Sequence, residues 1–215
     1  MENKLIPKVF LWMTLGLLIT FATGYVVALN EKMLLNIFTT GFYWVFIIAE
    51  FILVIVLSAR VMKMKAVTAK ICFLLYSFVS GLTFSSIFIA YDIMSIFYVF
   101  IIAAVVFAIF GAVGYFTSID LTNLGSMLLM GLIALIVCLI FNIFIGSEQF
   151  NFVLTIISLA IFVGFTAYDI QKIKRLGESS DLPEENLAIY GALELYLDYI
   201  NIFLDILRLV GNSKD

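Results

Sequence analysis

Two adjacent stretches without a charged side chain decide the fold: IMSIFYVFIIAAVVFAIFGAVGYFTSI, residues 93–119, and LTNLGSMLLMGLIALIVCLIFNIFIGS, residues 121–147. Only Asp120 separates them. An α-helix rises about 1.5 Å per residue, so about 20 apolar residues cross a hydrocarbon core of about 30 Å. Each stretch is therefore long enough to form one membrane-spanning helix.

Apolar runs of similar length recur along the whole chain. Two further runs contain no charged residue, and a third has one only at its last position. Another run contains only Glu50, and the final run carries several charged residues. The seven predicted spans are residues 9–29, 33–59, 71–91, 93–119, 121–147, 149–169 and 187–210. Because they occupy most of the 215 residues, no soluble domain fits in the connections. The sequence predicts an all-α integral membrane protein with a single seven-helix transmembrane domain, residues 1–215.

The overall composition leads to the same class of protein. Hydrophobic residues make up 64% of the chain and charged residues 13%, whereas soluble domains average about 45–50% and about 25%. So few charges cannot cover the surface of a soluble globule, and so apolar a chain does not stay disordered. A net charge of −3 gives no support for nucleic-acid binding. The expected surroundings are a lipid bilayer.

The positions of Lys and Arg predict the orientation, since basic residues concentrate on the cytoplasmic side. Two lie at the N-terminus, four after the second span and three after the sixth: Lys4, Lys8, Arg60, Lys63, Lys65, Lys70, Lys172, Lys174 and Arg175. The other side has three: Lys32, Arg208 and Lys214. We therefore expect a multi-pass cell-membrane protein with a cytoplasmic N-terminus and an external C-terminus. A re-entrant last segment would fit the count as well, so the final crossing stays open.

The last span carries polar residues at helical spacing. Glu194, Asp198, Asn201 and Asp205 are separated by four, three and four positions, which places them on one stripe of a helix. Exposing an acid to lipid costs about 2.5–3.5 kcal/mol on insertion scales, so such residues face the bundle interior. We expect this helix to be central, with the stripe lining an ion pathway. Alternatively the acids are structural, and Asp205 pairs with Arg208 three residues on.

Three further charged residues are candidates. Glu50 lies about 15 Å along its helix from Arg60, near mid-membrane, where an acid is functional by default; a neighbouring hydroxyl that holds it is the alternative. Asp169 ends the sixth span, and it either pairs with Lys172 one turn on or exchanges partners with Asp198 and Arg60 in a gate. The chain has no histidine. A response near neutral pH would therefore depend mainly on carboxylates, such as two aspartates that share a proton.

Several separated segments carry a family resemblance. The sequences AYDIQKIK (167–174), ALELYLDYINIFLDILRLVG (192–211), SGLTFSSIFIAY (80–91) and TSIDLTNLGSMLLMGLIALIVCLIFNIF (117–144) resemble the transmembrane Bax-inhibitor-motif family, in particular its bacterial YetJ-type branch. The resemblance implies a seven-helix bundle with a central last helix and a pH-sensitive calcium leak. It implies that Asp169 and Asp198 form the pH sensor, that Arg60 is the latch and that Glu50 is an acidic pore residue. Ser86 departs from the proline usual in this family.

The residues and the resemblance lead to one hypothesis. Calcium prefers oxygen ligands, and a site with few carboxylates suits passage better than storage. We expect calcium to be the transported ion, with transient sites near Glu50, Asp169 and Asp198, and no tightly bound cofactor. We do not expect an enzyme: "YD" at 168–169 is similar to di-aspartyl intramembrane proteases, but their Gly-x-Gly-Asp setting is missing. A proton-coupled transporter and a regulator that binds other membrane proteins, such as a membrane protease, remain alternatives.

Overall fold

The structure is a computed structural model that describes residues 5–179 and 182–213. Within these residues the chain forms eight α-helices and a short 3-10 turn, Val61–Lys63, between the third and fourth helices. The helices are α1 (Leu5–Leu29), α2 (Glu31–Thr39), α3 (Phe42–Arg60), α4 (Ala66–Ala90), α5 (Ile93–Phe116), α6 (Thr122–Ile145), α7 (Glu148–Ser179) and α8 (Glu184–Val210).

Seven of these helices are long and apolar enough to cross a membrane, all except α2. The predicted all-α, seven-span membrane fold is therefore confirmed. The apolar window of α8 is 67% buried, the largest share among the seven helices. Its position at the centre of a single domain stays a prediction. The orientation also stays a prediction, and two of its residues, Lys4 and Lys214, lie outside the described part of the chain.

The second predicted span, residues 33–59, differs from the structure. The helix breaks after Thr39, and Gly41 adopts a left-handed conformation with φ of 79°. At the end of α2 the hydroxyls of Thr39 and Thr40 donate to backbone carbonyls one turn back, which competes with helix continuation. The crossing helix begins only at Phe42. The apolar composition alone did not reveal this break, because both sides of Gly41 are apolar.

The chain divides into two compact units, of which the first comprises residues 1–93, 176–196 and 213–215. In it α1 and α4 pack closely, since a Cβ on Gly81 would lie 2.8 Å from the Thr20 carbonyl oxygen. Small residues allow such close approach in membranes. The N-terminal half of α8 is held by Asn186, which donates to the carbonyls of Val61 at 2.6 Å and Met64 at 2.8 Å. That buried amide fixes the 3-10 turn after α3.

The second unit comprises residues 94–175 and 197–212. Its α5 and α7 also approach at a glycine, because a Cβ on Gly114 would lie 2.1 Å from the backbone oxygen of Ala167. Beside it, a Cβ on Gly125 of α6 would lie 2.4 Å from the ring of Tyr168. The C-terminal half of α8 joins this unit, where the Tyr199 hydroxyl donates to the carbonyl of Phe100 at 2.9 Å.

The close approach at Gly114 leads to a stability prediction. We expect Gly114→Ala to lower the free energy of unfolding by about 1–3 kcal/mol, because the backbone of α7 must shift to admit a methyl group. The measurement is unfolding in detergent micelles followed by circular dichroism. Gly131→Ala on α6 is the matched control, since its added Cβ would meet only the Ile161 side chain at 3.4 Å. Equal stability of the two variants would contradict the packing at Gly114.

Candidate functional site

The polar stripe of α8 runs through both halves of the helix. Glu194 belongs to the first unit, whereas Asp198, Asn201 and Asp205 belong to the second. Asp198 and Asp205 are buried, with 4% and 2% of their surface exposed, and the other two are half-buried. The Asn201 amide donates to the Leu197 carbonyl at 2.7 Å, so its nitrogen is satisfied by its own helix. The stripe therefore places two buried aspartates along the C-terminal half of α8.

Asp205 is the more fully described of these two aspartates. Its Oδ1 lies 3.3 Å from Nη1 of Arg208, the predicted partner one turn further along α8. Asp205 is buried, whereas the Arg208 side chain is 56% exposed. This is the usual arrangement of a long basic side chain that covers a buried acid while its head group reaches the interface.

Asp169 lies on α7 in the same unit as Asp198, and both are buried. Lys172, three residues on, places its Nζ 3.6 Å from Asp169 Oδ1. The pairing that the sequence allowed as an alternative is therefore present. The sensor role of Asp169 and Asp198 stays a prediction. Arg60, the predicted latch, is the exposed last residue of α3 in the first unit, and its role also stays a prediction.

Glu50 lies on α3, half-buried, and contacts α4 through two hydroxyl groups. Ser80 donates to Glu50 Oε1, and Thr83 donates to Oε2 at 2.9 Å. The alternative of a neighbouring hydroxyl is thus observed, and it involves two of them. The Thr83 hydroxyl also lies 2.9 Å from the Ser80 carbonyl oxygen, so its single hydrogen has two possible acceptors. These contacts position Glu50 against α4, and neither hydroxyl group carries a charge.

Sequence reasoning missed a buried hydroxyl cluster in the first unit. Tyr196 of α8 is fully buried, and its Oη lies 2.7 Å from Oγ1 of Thr20 on α1. The Thr20 hydroxyl lies within 3.0 Å of the carbonyls of Gly16 and Ser77, which can only accept. Its hydrogen is therefore engaged by a carbonyl, and Tyr196 must be the donor to Thr20. Hydroxyl residues inside apolar spans were the available signal, but their partners lie on other helices.

The loop between α5 and α6 is held against α7 by hydrogen bonds and an ion pair in the second unit. Arg175 Nη1 lies 2.7 Å from Oδ1 of Asp120, which also accepts from the hydroxyl and backbone N–H of Thr122. The Gln171 side chain accepts from Leu121 N and donates to Ile119 O. The hydrogen bonds from Thr122, followed by the contact with Arg175, hold the pKa of Asp120 well below its usual range. No group of three or more His, Cys, Asp or Glu among the described residues is placed to hold a metal ion.

Comparisons with known proteins agree with this architecture. A family model described as inhibitor of apoptosis-promoting Bax1 matches residues 2–215. The chain belongs to the Bax inhibitor family. It is 42% identical to the inner membrane protein YbhL of Escherichia coli over 212 residues, 96% of this chain and 91% of that protein. It is 38% identical to an uncharacterized protein of Borreliella burgdorferi over 218 residues, which cover 100% of this chain and 94% of that one.

Membership of the Bax inhibitor family confirms the predicted resemblance and the multi-pass membrane location. A relative of Deinococcus radiodurans, 33% identical over 210 residues, covers 97% of this chain and 90% of its own. Because these matches cover nearly the full length of the chain, the family assignment applies to all of it, including the first span and the region of Glu50. This part of the sequence had carried little of the resemblance.

The cluster at Tyr196 predicts a loss of stability on removal of its hydroxyl. Tyr196→Phe should lower the free energy of unfolding by about 1–2 kcal/mol, because Thr20 loses a buried hydrogen-bond donor. Unfolding in detergent micelles provides the measurement. Tyr98→Phe is the control, since Tyr98 is 58% exposed. If the two variants lose the same stability, the buried contact contributes nothing measurable.

The lowered pKa of Asp120 leads to a prediction of how its contribution to stability depends on pH. Because its folded-state pKa is lowered, its contribution to stability is fully present above the ordinary pKa of about 3.9 and is lost as pH falls through the folded value. The difference in melting temperature between the parent and Asp120→Asn should therefore stay constant from about pH 5 to 8 and shrink only in stronger acid. A difference that disappears near pH 6 would contradict this assignment.

Proposed function

We propose that this Bax inhibitor family member is a calcium leak channel of the membrane whose conductance depends on pH. The observation that carries the proposal is the set of buried acids within apolar helices: Asp169, Asp198 and Asp205 are each less than 5% exposed. Acids buried within membrane-spanning helices are energetically costly, and they normally belong to ion or proton pathways. The polar stripe of α8 offers carboxylate and amide oxygens in succession, which are ligands that calcium prefers.

The pH dependence is assigned to Asp169 and Asp198, which are buried in the same unit. Protonation removes the negative charge that attracts Lys172 to Asp169 across 3.6 Å. A change in that contact alters the position of α7 against the C-terminal half of α8, on which Asp198 lies. Glu50, which two uncharged hydroxyl groups of α4 contact, is the acid of the first unit to which we assign the attraction of cations. The protein acts by conduction, and neither catalysis nor a bound cofactor is part of the proposal.

Calcium flux into proteoliposomes tests the proposal. With an enclosed calcium indicator, the parent protein should show flux that differs between about pH 6 and about pH 8. Asp169→Asn and Asp198→Asn should each abolish that difference, because neither amide can take up the proton. Glu50→Gln should reduce the flux at both pH values, since a carboxylate ligand for the cation is lost.

Asp120→Asn is the matched control for the two aspartate variants. Its pKa is lowered, so it stays ionised throughout the tested range, and its flux should have the parent's pH dependence. Unchanged pH dependence in both Asp169→Asn and Asp198→Asn would remove the sensor assignment while leaving conduction intact. Absence of flux from the correctly folded parent protein would contradict conduction itself.

A regulator of other membrane proteins is the second candidate. The description of the family model, inhibitor of apoptosis-promoting Bax1, names an action on another protein. Under this alternative the parent protein would show no calcium flux, and Glu50→Gln would keep the parent's cellular function. A proton-coupled transporter would instead show substrate-dependent proton uptake without calcium flux.

A further inference from the structure

Asp205 and Arg208 form an ion pair in which only the acid is buried. The carboxylate is buried, with 3% of its side chain exposed, whereas 56% of the Arg208 side chain is exposed. Only Oδ1 of Asp205 is engaged by the guanidinium. Oδ2 is also buried and has no hydrogen-bond partner among residues 5–179 and 182–213. Half of a buried carboxylate is therefore available to another positive group.

The contact between the two side chains is also loose. Arg208 Nη1 lies 3.3 Å from Asp205 Oδ1, whereas the same donor atom of Arg175 lies 2.7 Å from Asp120 Oδ1. Hydrogen bonds between charged groups are normally about 2.7–2.9 Å long. A guanidinium usually engages a carboxylate through two parallel bonds, but this one uses a single long contact. Because the Arg208 side chain is largely exposed, it can move away from Asp205 without leaving a buried environment.

The surroundings of Asp205 provide a second oxygen. Ser158 of α7 is close enough to interact with the same carboxyl group, and both residues belong to the second unit. A hydroxyl oxygen beside a carboxylate is a ligand set for a hard cation. The available side chains are too few for a tight cage, so a bound ion would be held weakly and would exchange.

We propose that Asp205, with Ser158, is a cation-binding site in which the Arg208 guanidinium acts as a tethered competitor. A divalent cation such as calcium binds the carboxylate when Arg208 swings out, and Arg208 returns when the cation leaves. The site lies at the end of α8, which is external in the predicted orientation. Its role as the mouth of an ion pathway rests on the proposed function, whereas the binding and the competition do not.

Calcium binding to the purified protein in lipid nanodiscs tests the competition. Equilibrium dialysis against radioactive calcium should give about tenfold tighter binding for Arg208→Gln than for the parent, because the tethered cation is removed. Arg208→Lys should bind like the parent, since it keeps the charge. The gain should disappear when Asp205→Asn is added to Arg208→Gln. Parent-like affinity of Arg208→Gln, or a gain that survives Asp205→Asn, would overturn the proposal.

A second measurement uses the parent protein, so its result does not depend on whether a variant folds correctly. The chain has three arginines, Arg60, Arg175 and Arg208. Calcium should accelerate the modification of Arg208 by an arginine-specific dicarbonyl reagent, because the displaced guanidinium is fully exposed. Arg60, on the other unit, is the internal control, and mass spectrometry of the peptides gives both rates. An unchanged Arg208 rate at saturating calcium would refute the exchange.

These measurements distinguish the proposed cation site at Asp205 from the proposed channel function. Neither binding nor modification depends on flux. A parent protein without flux but with the expected calcium competition would keep the site and remove the channel. A parent protein with pH-dependent flux but without the competition would keep the channel and remove the site.

Discussion

A polar group within the hydrocarbon layer is costly unless it finds a partner inside the protein, and this cost explains most contacts described above. Water cannot satisfy a buried carboxylate or hydroxyl in that layer, so an unmatched group costs several kcal/mol. Glu50 is contacted by hydroxyls of α4, Thr20 by Tyr196 and by two backbone carbonyls, and Asn186 by the turn after α3. Because these partners lie on different helices, each contact also fixes the packing of two helices.

The fold was predictable because it depends on quantities that one sequence contains. The length of the charge-free runs sets the number of helices, and it gave seven spans without any knowledge of their packing. The break at Gly41 was missed because a left-handed residue between two apolar runs leaves hydropathy unchanged. The close approach at Gly114 was missed for a related reason, since which glycine meets another backbone depends on the rotation of both helices.

The candidate site was predictable only where both partners lie on one helix. The pairs Asp169 with Lys172 and Asp205 with Arg208 are three residues apart, so helical geometry alone brings them together. The partners of Glu50 are 30 and 33 residues away, and the contact between Thr20 and Tyr196 spans 176 residues. Such contacts depend on the register between helices, which no local pattern in the sequence records.

Three acids within the helices, Glu50, Asp169 and Asp205, differ in the charge of their described partners. Glu50 is contacted by the hydroxyls of Ser80 and Thr83, which carry no charge, so neither of these partners would compete with a cation for its carboxyl group. Asp169 and Asp205 are each compensated by a basic residue one turn nearer the end of their helix. A compensated acid attracts a mobile cation only when its own basic partner moves away. α8 follows α7 in the chain across a short connection, so if both helices cross the membrane, their C-terminal ends lie on opposite sides. The two compensated acids would then lie toward opposite sides of the membrane, each with a basic residue one turn further along its helix.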